Sequence, residues 1–100
     1  MKLEQKNGTD GSTTVAIKGR LDTTTAPELE AKLDSVVRSS KGIVLDMKDL
    51  QYISSAGLRV LLKTQKAVGG NGGMKLVNVP ESVMEVFTIT GFSEILDIEG

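Results

Sequence analysis

The sequence contains no cysteine and no histidine. It therefore offers no thiolate nucleophile, no disulfide, no histidine general base and no zinc site built from cysteine and histidine ligands. Because most familiar catalytic sets need one of these side chains, we expect neither enzymatic activity nor a bound metal or cofactor. Aromatic residues make up only 3% of the chain, so aliphatic side chains have to form the core.

Strong charge bias and long hydrophobic runs are also absent. The chain has 12 basic and 13 acidic side chains, a net charge of -1 and no basic stripe, so we expect no direct contact with nucleic acid. No apolar run approaches the roughly 18 to 20 residues that cross a bilayer, so we expect no membrane insertion and a cytoplasmic protein. With 100 residues, the chain is predicted to form one domain over residues 1–100.

The first half of the sequence predicts a hairpin, a helix and a strand. Residues 2–6 and 13–19 flank the turn segment NGTDGS, which is typical of a β-hairpin. The apolar residues of TTTAPELEAKLDSVVRS lie at helical spacing, and Thr25 and Glu28 are placed to form a capping box at the start of this helix. The continuous apolar run in KGIVLDM predicts a central strand covered on both faces.

The second half predicts two more helices and at least one more strand. SSAGLRVLLKTQKAVGG places Leu58, Leu61, Leu62 and Val68 on one face, which predicts a helix that begins at about Ser55 and ends at Val68. MKLVNV predicts a strand, and the proline after it opens a short helix that ends at a glycine. The tail FSEILDIEG fits a last strand or a final helix, and we favour the strand.

The order of these elements predicts an α/β fold. Strands that alternate with helices after an initial hairpin imply a mixed sheet, because each helical crossover returns the chain parallel to the strand it left. We therefore predict an N-terminal hairpin followed by alternating helices and strands in one mixed β-sheet.

Two adjacent serines precede the second predicted helix, in the segment YISSAGLRVLL. Serine is among the preferred N-cap residues, where its hydroxyl is worth roughly 0.5 to 2 kcal/mol over alanine. Ser54 and Ser55 therefore fit a capping role. The alternative is phosphorylation, because the free N–H groups and the dipole of a helix N-terminus tolerate a dianion. A phosphate of charge about -1.5 to -2 would block a docking partner while the fold stays intact.

Residues near these serines each allow two interpretations. Gly57 indicates either close packing against a neighbouring strand or a notch for a docking partner. Asp22 leads into the first helix, where a carboxylate is favoured by the dipole and suits a cap or a turn. Arg59 and Lys63, four residues apart, form either a small basic patch beside Ser55 or ordinary solvated surface.

Two further features fall short of a ligand site. Asp46 and Asp49 follow the central strand, at the end of the sheet where α/β proteins gather functional groups, yet acidic loops without function are common there. We predict no metal site from them. GGNGG, residues 69–73, follows a helix and precedes a strand, which reverses the order of a phosphate-binding loop, and it lacks the GK[ST] ending. We interpret it as a helix stop and flexible connector.

Three separated segments carry a family resemblance: GRLDTTTAPELE, IVLDMKDLQYISSAGLRVLL and GGMKLVNVPESVMEVFTITGF. In order and spacing they resemble the single-domain bacterial anti-sigma factor antagonists of the STAS domain family. The resemblance covers nearly the whole chain and implies a single STAS domain with helices mainly on one face of the sheet. It also implies a role in transcription regulation, such as a stress response, and we expect a monomer.

The resemblance further implies partner switching. The unphosphorylated antagonist would bind an anti-sigma factor that is also a serine kinase and thereby release a sigma factor. Phosphorylation by that kinase would break the complex, and a metal-dependent serine phosphatase would reset it. Aligning the family motif on Gly57 and Leu58 places the phosphoacceptor at Ser55, with Ser54 as a second candidate.

The family motif also implies the surroundings of the phosphoacceptor. Ser54 stands where the family has an aspartate, and Ala56 stands where it has a second hydroxyl residue. Asp22 matches an aspartate that lies near the phosphoacceptor and could orient its hydroxyl. The expected partner-binding residues are Asp22, Thr23, Ser54, Ala56, Gly57, Arg59 and Lys63.

Three other functions stay open at this point. A non-switching STAS subunit of a signalling scaffold or a lipid-transport complex would dock constitutively through the same helix. An enzyme with Ser55 as nucleophile lacks a histidine base, and the nearest lysine, Lys63, lies two turns along the helix. Nucleotide binding occurs in the wider family, but GGNGG does not support it.

Overall fold

The computed structural model describes residues 1–69 and 73–99. Within this part of the chain there are six β-strands and three α-helices. In chain order they are β1 (Lys2–Asn7), β2 (Ser12–Leu21), α1 (Ala26–Ser39), β3 (Gly42–Asp46), β4 (Leu50–Ile53), α2 (Ser55–Val68), β5 (Met74–Val77), α3 (Glu81–Thr90) and β6 (Asp97–Glu99). A short 3-10 turn, Phe92–Glu94, connects α3 to β6.

The strands form one mixed sheet with the order β1-β2-β3-β5-β6, and β4 pairs with β2. β1 and β2 are the predicted hairpin and pair antiparallel, whereas the other pairs are parallel. β3 pairs with the first half of β2 and β4 with its second half. The register shifts between Gly19 and Arg20, where Gly19 has a φ of 93° that glycine adopts readily. The predicted α/β fold with a mixed sheet is therefore confirmed.

Aliphatic side chains between the helices and one face of the sheet form the core. Burial alternates along β2, where Val15 and Ile17 are buried and Ala16 and Lys18 are partly exposed. Phe87 of α3 is the largest completely buried side chain. This one-sided packing confirms that the helices lie mainly on one face, and it leaves the hairpin side of the other face in contact with solvent.

Two predictions about the first half of the chain are wrong in detail. In β3, Ile43 and Leu45 are buried but Val44 is partly exposed, so the strand is covered on one face and not on both. The predicted capping box is not formed, because the Thr25 side chain makes no capping hydrogen bond to the N–H of Glu28. The Thr25 hydroxyl instead donates to the carbonyl oxygen of Arg20 at 2.8 Å.

In the second half of the chain, α2 has the predicted bounds, but one residue of its predicted buried face is not buried. Leu58, Leu61 and Val68 are buried as expected, whereas Leu62 is partly exposed and borders a groove between α1 and α2. The tail contains the favoured strand, β6, which pairs in parallel with β5. β4 was not predicted as a strand.

Candidate functional site

The site predicted around the two serines is assembled where β2 and β4 end. These strands are paired neighbours up to Leu21 and Ile53, so the segments that follow them leave the sheet side by side. The N–H of Ser54 donates to the carbonyl oxygen of Leu21 at 2.9 Å. The loop between β2 and α1 and the start of α2 are therefore fixed next to each other by the sheet.

Ser54 is the N-cap of α2. Its backbone is extended, with φ of -98° and ψ of 174°, and its hydroxyl accepts a hydrogen bond from the N–H of Gly57 at 3.4 Å. Its carbonyl oxygen accepts from the N–H of Leu58 at 3.0 Å and so begins the helical hydrogen bonds. The capping interpretation is confirmed for Ser54, whose hydroxyl is engaged by the helix it starts.

Ser55 is the first residue of α2 and is exposed. In the described part of the chain, no hydrogen bond engages its hydroxyl. The first turn of α2 contains no acidic residue, so no carboxylate there occupies the positive end of the helix dipole. The two serines thus differ, since Ser54 caps the helix and Ser55 presents a free hydroxyl to solvent.

Asp22 orders the turn between β2 and α1. One oxygen of its carboxylate, Oδ1, accepts from the Thr24 hydroxyl at 2.7 Å, from the Thr24 N–H at 3.0 Å and from the Thr25 N–H at 3.1 Å. These hydrogen bonds, chiefly the one from the Thr24 hydroxyl, hold the pKa of Asp22 below its usual value. Among the described residues there is no hydrogen bond between Asp22 and Ser55. Asp22 therefore has the turn role in this structure, and the expected orienting contact is not formed.

Gly57 packs against the sheet and is buried. A Cβ atom at this position would lie 2.6 Å from Leu21 Cγ and 3.0 Å from Ile53 Cγ1. Such contacts are too short for carbon atoms, so only glycine lets the first turn of α2 approach β2 and β4 this closely. The close-packing interpretation is correct, and Gly57 is not a notch that a partner could enter.

An open groove of 660 Å³ lies between α1 and α2. Its apolar lining residues are Ala26, Pro27, Ala56, Val60 and Leu62, and its charged lining residues are Glu30, Arg59, Lys63 and Lys66. Thr23 completes the lining at the loop before α1. The groove brings together four of the expected partner-binding residues: Thr23, Ala56, Arg59 and Lys63.

The two cations of the expected basic patch differ in their partners. Lys63 Nζ lies 2.7 Å from Glu30 Oε2 and 3.6 Å from Asp34 Oδ2, both on α1. The hydrogen bond to Glu30 raises the pKa of Lys63. Arg59 is exposed and, within the described part of the chain, takes part in no ion pair. Lys63 therefore connects the two helices, and a charged amine in this state cannot act as a general base for a Ser55 nucleophile.

Sequence reasoning missed part of this surface. Leu62 and Lys66 follow Arg59 at helical intervals, so the spacing along α2 could have assigned them to the same groove. Pro27 belongs to α1, so its place in the groove could be assigned only once the packing of the two helices was known. Arg20 and Tyr52, paired on β2 and β4, were also missed; the guanidinium carbon lies 4.3 Å from the ring centroid.

Of the two other candidate features, the structure assigns ordinary hydrogen-bonding roles to the acidic residues Asp46 and Asp49. Asp46 Oδ1 accepts from the Lys48 N–H at 3.1 Å and from the Asn78 side-chain amide at 3.2 Å. The carbonyl oxygen of Asp49 accepts from the Gly19 N–H at 3.0 Å. Of the GGNGG segment, residues 70–72 lie outside the described residues. No helix in the described residues is both long and apolar enough to span a bilayer.

This chain is similar to known proteins in family, sequence and structure. The STAS domain family model matches residues 2–99. The anti-sigma-B factor antagonist of Bacillus subtilis is 38% identical over 85 residues, which are 84% of this chain and 78% of that protein. The crystal structure of an anti-sigma factor antagonist from Mycobacterium paratuberculosis superposes with a TM-score of 0.88 at 26% identity, covering 97% of this chain and 83% of that one.

A third similar protein, Bacillus SpoIIAA, shares the fold. Its unphosphorylated form has a TM-score of 0.82 at 18% identity and covers 99% of this chain and 89% of its own. Its phosphorylated form has a TM-score of 0.76 at 17% identity, with coverage of 99% and 92%. The match of the family model over nearly the whole chain, together with the similarity to the Bacillus subtilis protein, shows that this chain belongs to the STAS domain family.

Proposed function

We propose that this protein is an anti-sigma factor antagonist that works by partner switching. Its unphosphorylated form binds an anti-sigma factor that is also a serine kinase, which releases a sigma factor for transcription in the cytoplasm. Phosphorylation of Ser55 by that kinase ends the complex, and a serine phosphatase restores the binding form. The observation that carries the proposal is the exposed Ser55 hydroxyl at the first position of α2.

Similarity supports the role, and local geometry supports the residue. A relative 38% identical to this chain is an anti-sigma-B factor antagonist. Of the two adjacent serines, Ser54 is partly buried and its hydroxyl accepts from the Gly57 N–H, so modification there would disrupt the cap. Ser55 can be modified without loss of any hydrogen bond in the described structure. We therefore assign the phosphoacceptor to Ser55.

The proposed transfer is a simple substitution at phosphorus. The Ser55 oxygen forms a bond to the γ-phosphorus of ATP, the bond from that phosphorus to the bridging oxygen breaks, and ADP leaves. The hydroxyl proton passes to a base of the kinase, since Lys63 of this chain is held by carboxylates. This protein is the substrate of the reaction and supplies no catalytic group.

The effect on binding follows from charge. The new phosphate carries about -1.5 to -2 charges at neutral pH. At the N-terminus of α2 it is stabilised by the helix dipole and by free N–H groups, so the fold is retained. A partner that covers this turn has to remove water from the dianion, which is unfavourable, and any acidic group of the partner is repelled by it. We infer that the docking surface consists of the exposed or partly exposed residues around this turn: Asp22, Thr23, Ser54, Ala56 and Arg59, with Lys63 at its edge.

Intact-mass measurement after incubation with the purified anti-sigma factor kinase and ATP tests the assignment. The wild-type chain should gain one phosphate, Ser55→Ala should gain none, and the matched control Ser54→Ala should still gain one. A gain that survives in Ser55→Ala would refute the choice of residue.

Binding of the unphosphorylated and phosphorylated chains to the same kinase tests the switch. The unphosphorylated chain should form a complex in titration calorimetry, and the phosphorylated chain should not. A complex that forms with equal affinity in both states would support a non-switching STAS subunit instead. Absence of any complex with the unphosphorylated chain would refute the antagonist role.

A further inference from the structure

Ser55 and Arg59 occupy one face of α2. Both are exposed, and they lie four positions apart in the helix. Residues with this spacing have Cβ atoms about 5 to 6 Å apart. Long side chains on a helix lean toward its N-terminus, so an arginine at position 59 reaches back over the turn that carries Ser55.

Arg59 is also available to a new anion, whereas Lys63, the next cation along α2, is already paired with a carboxylate. Lys63 Nζ lies 2.7 Å from Glu30 on α1. Arg20 lies on β2, so it does not share the helical spacing to Ser55, and its guanidinium lies over the ring of Tyr52 at 4.3 Å. Arg59 has no carboxylate partner in the described part of the chain, although it lines the groove between α1 and α2.

We propose that Arg59 binds the phosphate on Ser55 and holds it against the same helix. This inference rests on the proposed function, because it takes Ser55 as the phosphoacceptor. The planar guanidinium presents two N–H groups side by side, which matches two phosphate oxygens better than a lysine ammonium does. The spacing makes the contact intrahelical, so it needs no movement of another element.

The contact changes the docking surface in two ways through one modification. The phosphate places a negative group at the start of α2, and it also withdraws Arg59 from the groove that a partner would occupy. An acidic side chain of the partner that contacts Arg59 in the unphosphorylated state loses that contact and meets an anion in its place. Arg59 thus holds the phosphate in position, and its own availability to a partner changes with the phosphorylation of Ser55.

The test uses the full chain with phosphoserine installed at position 55 during translation, so that no kinase is needed. The pKa of the phosphate, ordinarily about 6, is measured by phosphorus NMR as a function of pH. Loss of a neighbouring positive charge disfavours the dianion, so Arg59→Gln should raise this pKa by about 0.5. Arg59→Lys should recover part of the difference, since it keeps the charge and loses the paired N–H groups.

Lys66→Gln is the matched control, because it removes the same charge from the same helix about three turns away from Ser55. The phosphate pKa of this variant should stay close to that of the wild-type chain. Equal phosphate pKa values for Arg59→Gln and Lys66→Gln would overturn the inference. That outcome is independent of the kinase assay, in which a failure to modify Ser55 would refute the proposed function instead.

Discussion

Replacement of Gly57 by alanine sets two effects of known sign against each other. Alanine is favoured over glycine inside a helix by roughly 1 kcal/mol. The new methyl group would lie 2.6 Å from Leu21 Cγ, 2.9 Å from Leu21 Cδ2 and 3.0 Å from Ile53 Cγ1. Leu21 is completely buried, so neither of its two close atoms can rotate away into solvent. Overpacking of a filled core typically costs about 1 to 3 kcal/mol.

The cost of the short contacts should exceed the gain in helix propensity. Gly57→Ala should therefore lower the free energy of unfolding by up to about 2 kcal/mol. For a chain of this size, each kcal/mol corresponds to a shift in Tm of about 4 to 8 °C. Urea and thermal denaturation followed by circular dichroism measure both quantities. Ala67→Gly, at an exposed position of the same helix, measures the propensity difference without the contact. A stabilised Gly57→Ala variant would show that the turn can lift from the sheet freely and would refute the close-packing explanation.

Two further substitutions test the division of roles in the site by stability alone. Ser54→Ala removes the N-cap hydroxyl and should lower the free energy of unfolding by about 0.5 to 2 kcal/mol, whereas Ser55→Ala should change it by less than about 0.5 kcal/mol; equal losses in urea denaturation would contradict the assignment. Asp22, whose pKa is lowered by hydrogen bonds from Thr24 and Thr25, stabilises the fold above the pKa of an unfolded aspartate, about 3.9. Stability should therefore fall as the pH drops below about 4 and through the native pKa. Asp22→Asn should show a shallower fall, and identical pH profiles would rule out the Asp22 contribution.

The bounds of α2 could be read from the sequence because its signals are local. A serine stands at the N-cap, glycines follow the last turn, and apolar residues recur at helical spacing between them. The hairpin was predictable for the same reason, since its turn residues NGTDGS lead directly into the β-branched, alternating strand β2. In these places the residue types and the three-dimensional structure favour the same conformation.

β4 was missed because its signal is not local. Its burial pattern is buried, exposed, exposed, buried over Leu50–Ile53, so it lacks the alternation that marks a strand. It exists because the second half of β2, beyond the register shift at Gly19, offers a free edge for pairing. The capping box failed for a different reason, because the turn between β2 and α1 brings the Thr25 hydroxyl within 2.8 Å of the carbonyl oxygen of Arg20, five residues earlier. The β4 pairing depends on a contact between distant parts of the chain, and the Thr25 contact depends on the conformation of a local turn.

The candidate site shows the same division. The serines and the helix start were identified from the segment around them, but the roles of Gly57 and Lys63 could not be decided there. The role of Gly57 is set by Leu21, a residue of β2 that lies beneath the first turn of α2. Lys63 depends on Glu30, which reaches it only because α1 and α2 pack side by side. The sequence therefore selected the candidate residues, and tertiary packing shows which of their side chains are exposed and which are buried or paired.

This packing also indicates what kind of switch the site can form. The first turn of α2 is held from two sides, by the hydrogen bond between Ser54 and Gly57 and by the contact of Gly57 with the sheet. Ser55 projects from this fixed turn and contributes to neither. A phosphate on Ser55 therefore changes the charge of the surface without releasing the helix from the sheet. Under the proposed function, loss of partner binding needs no rearrangement of the fold, because the anion would stand on the surface proposed for docking.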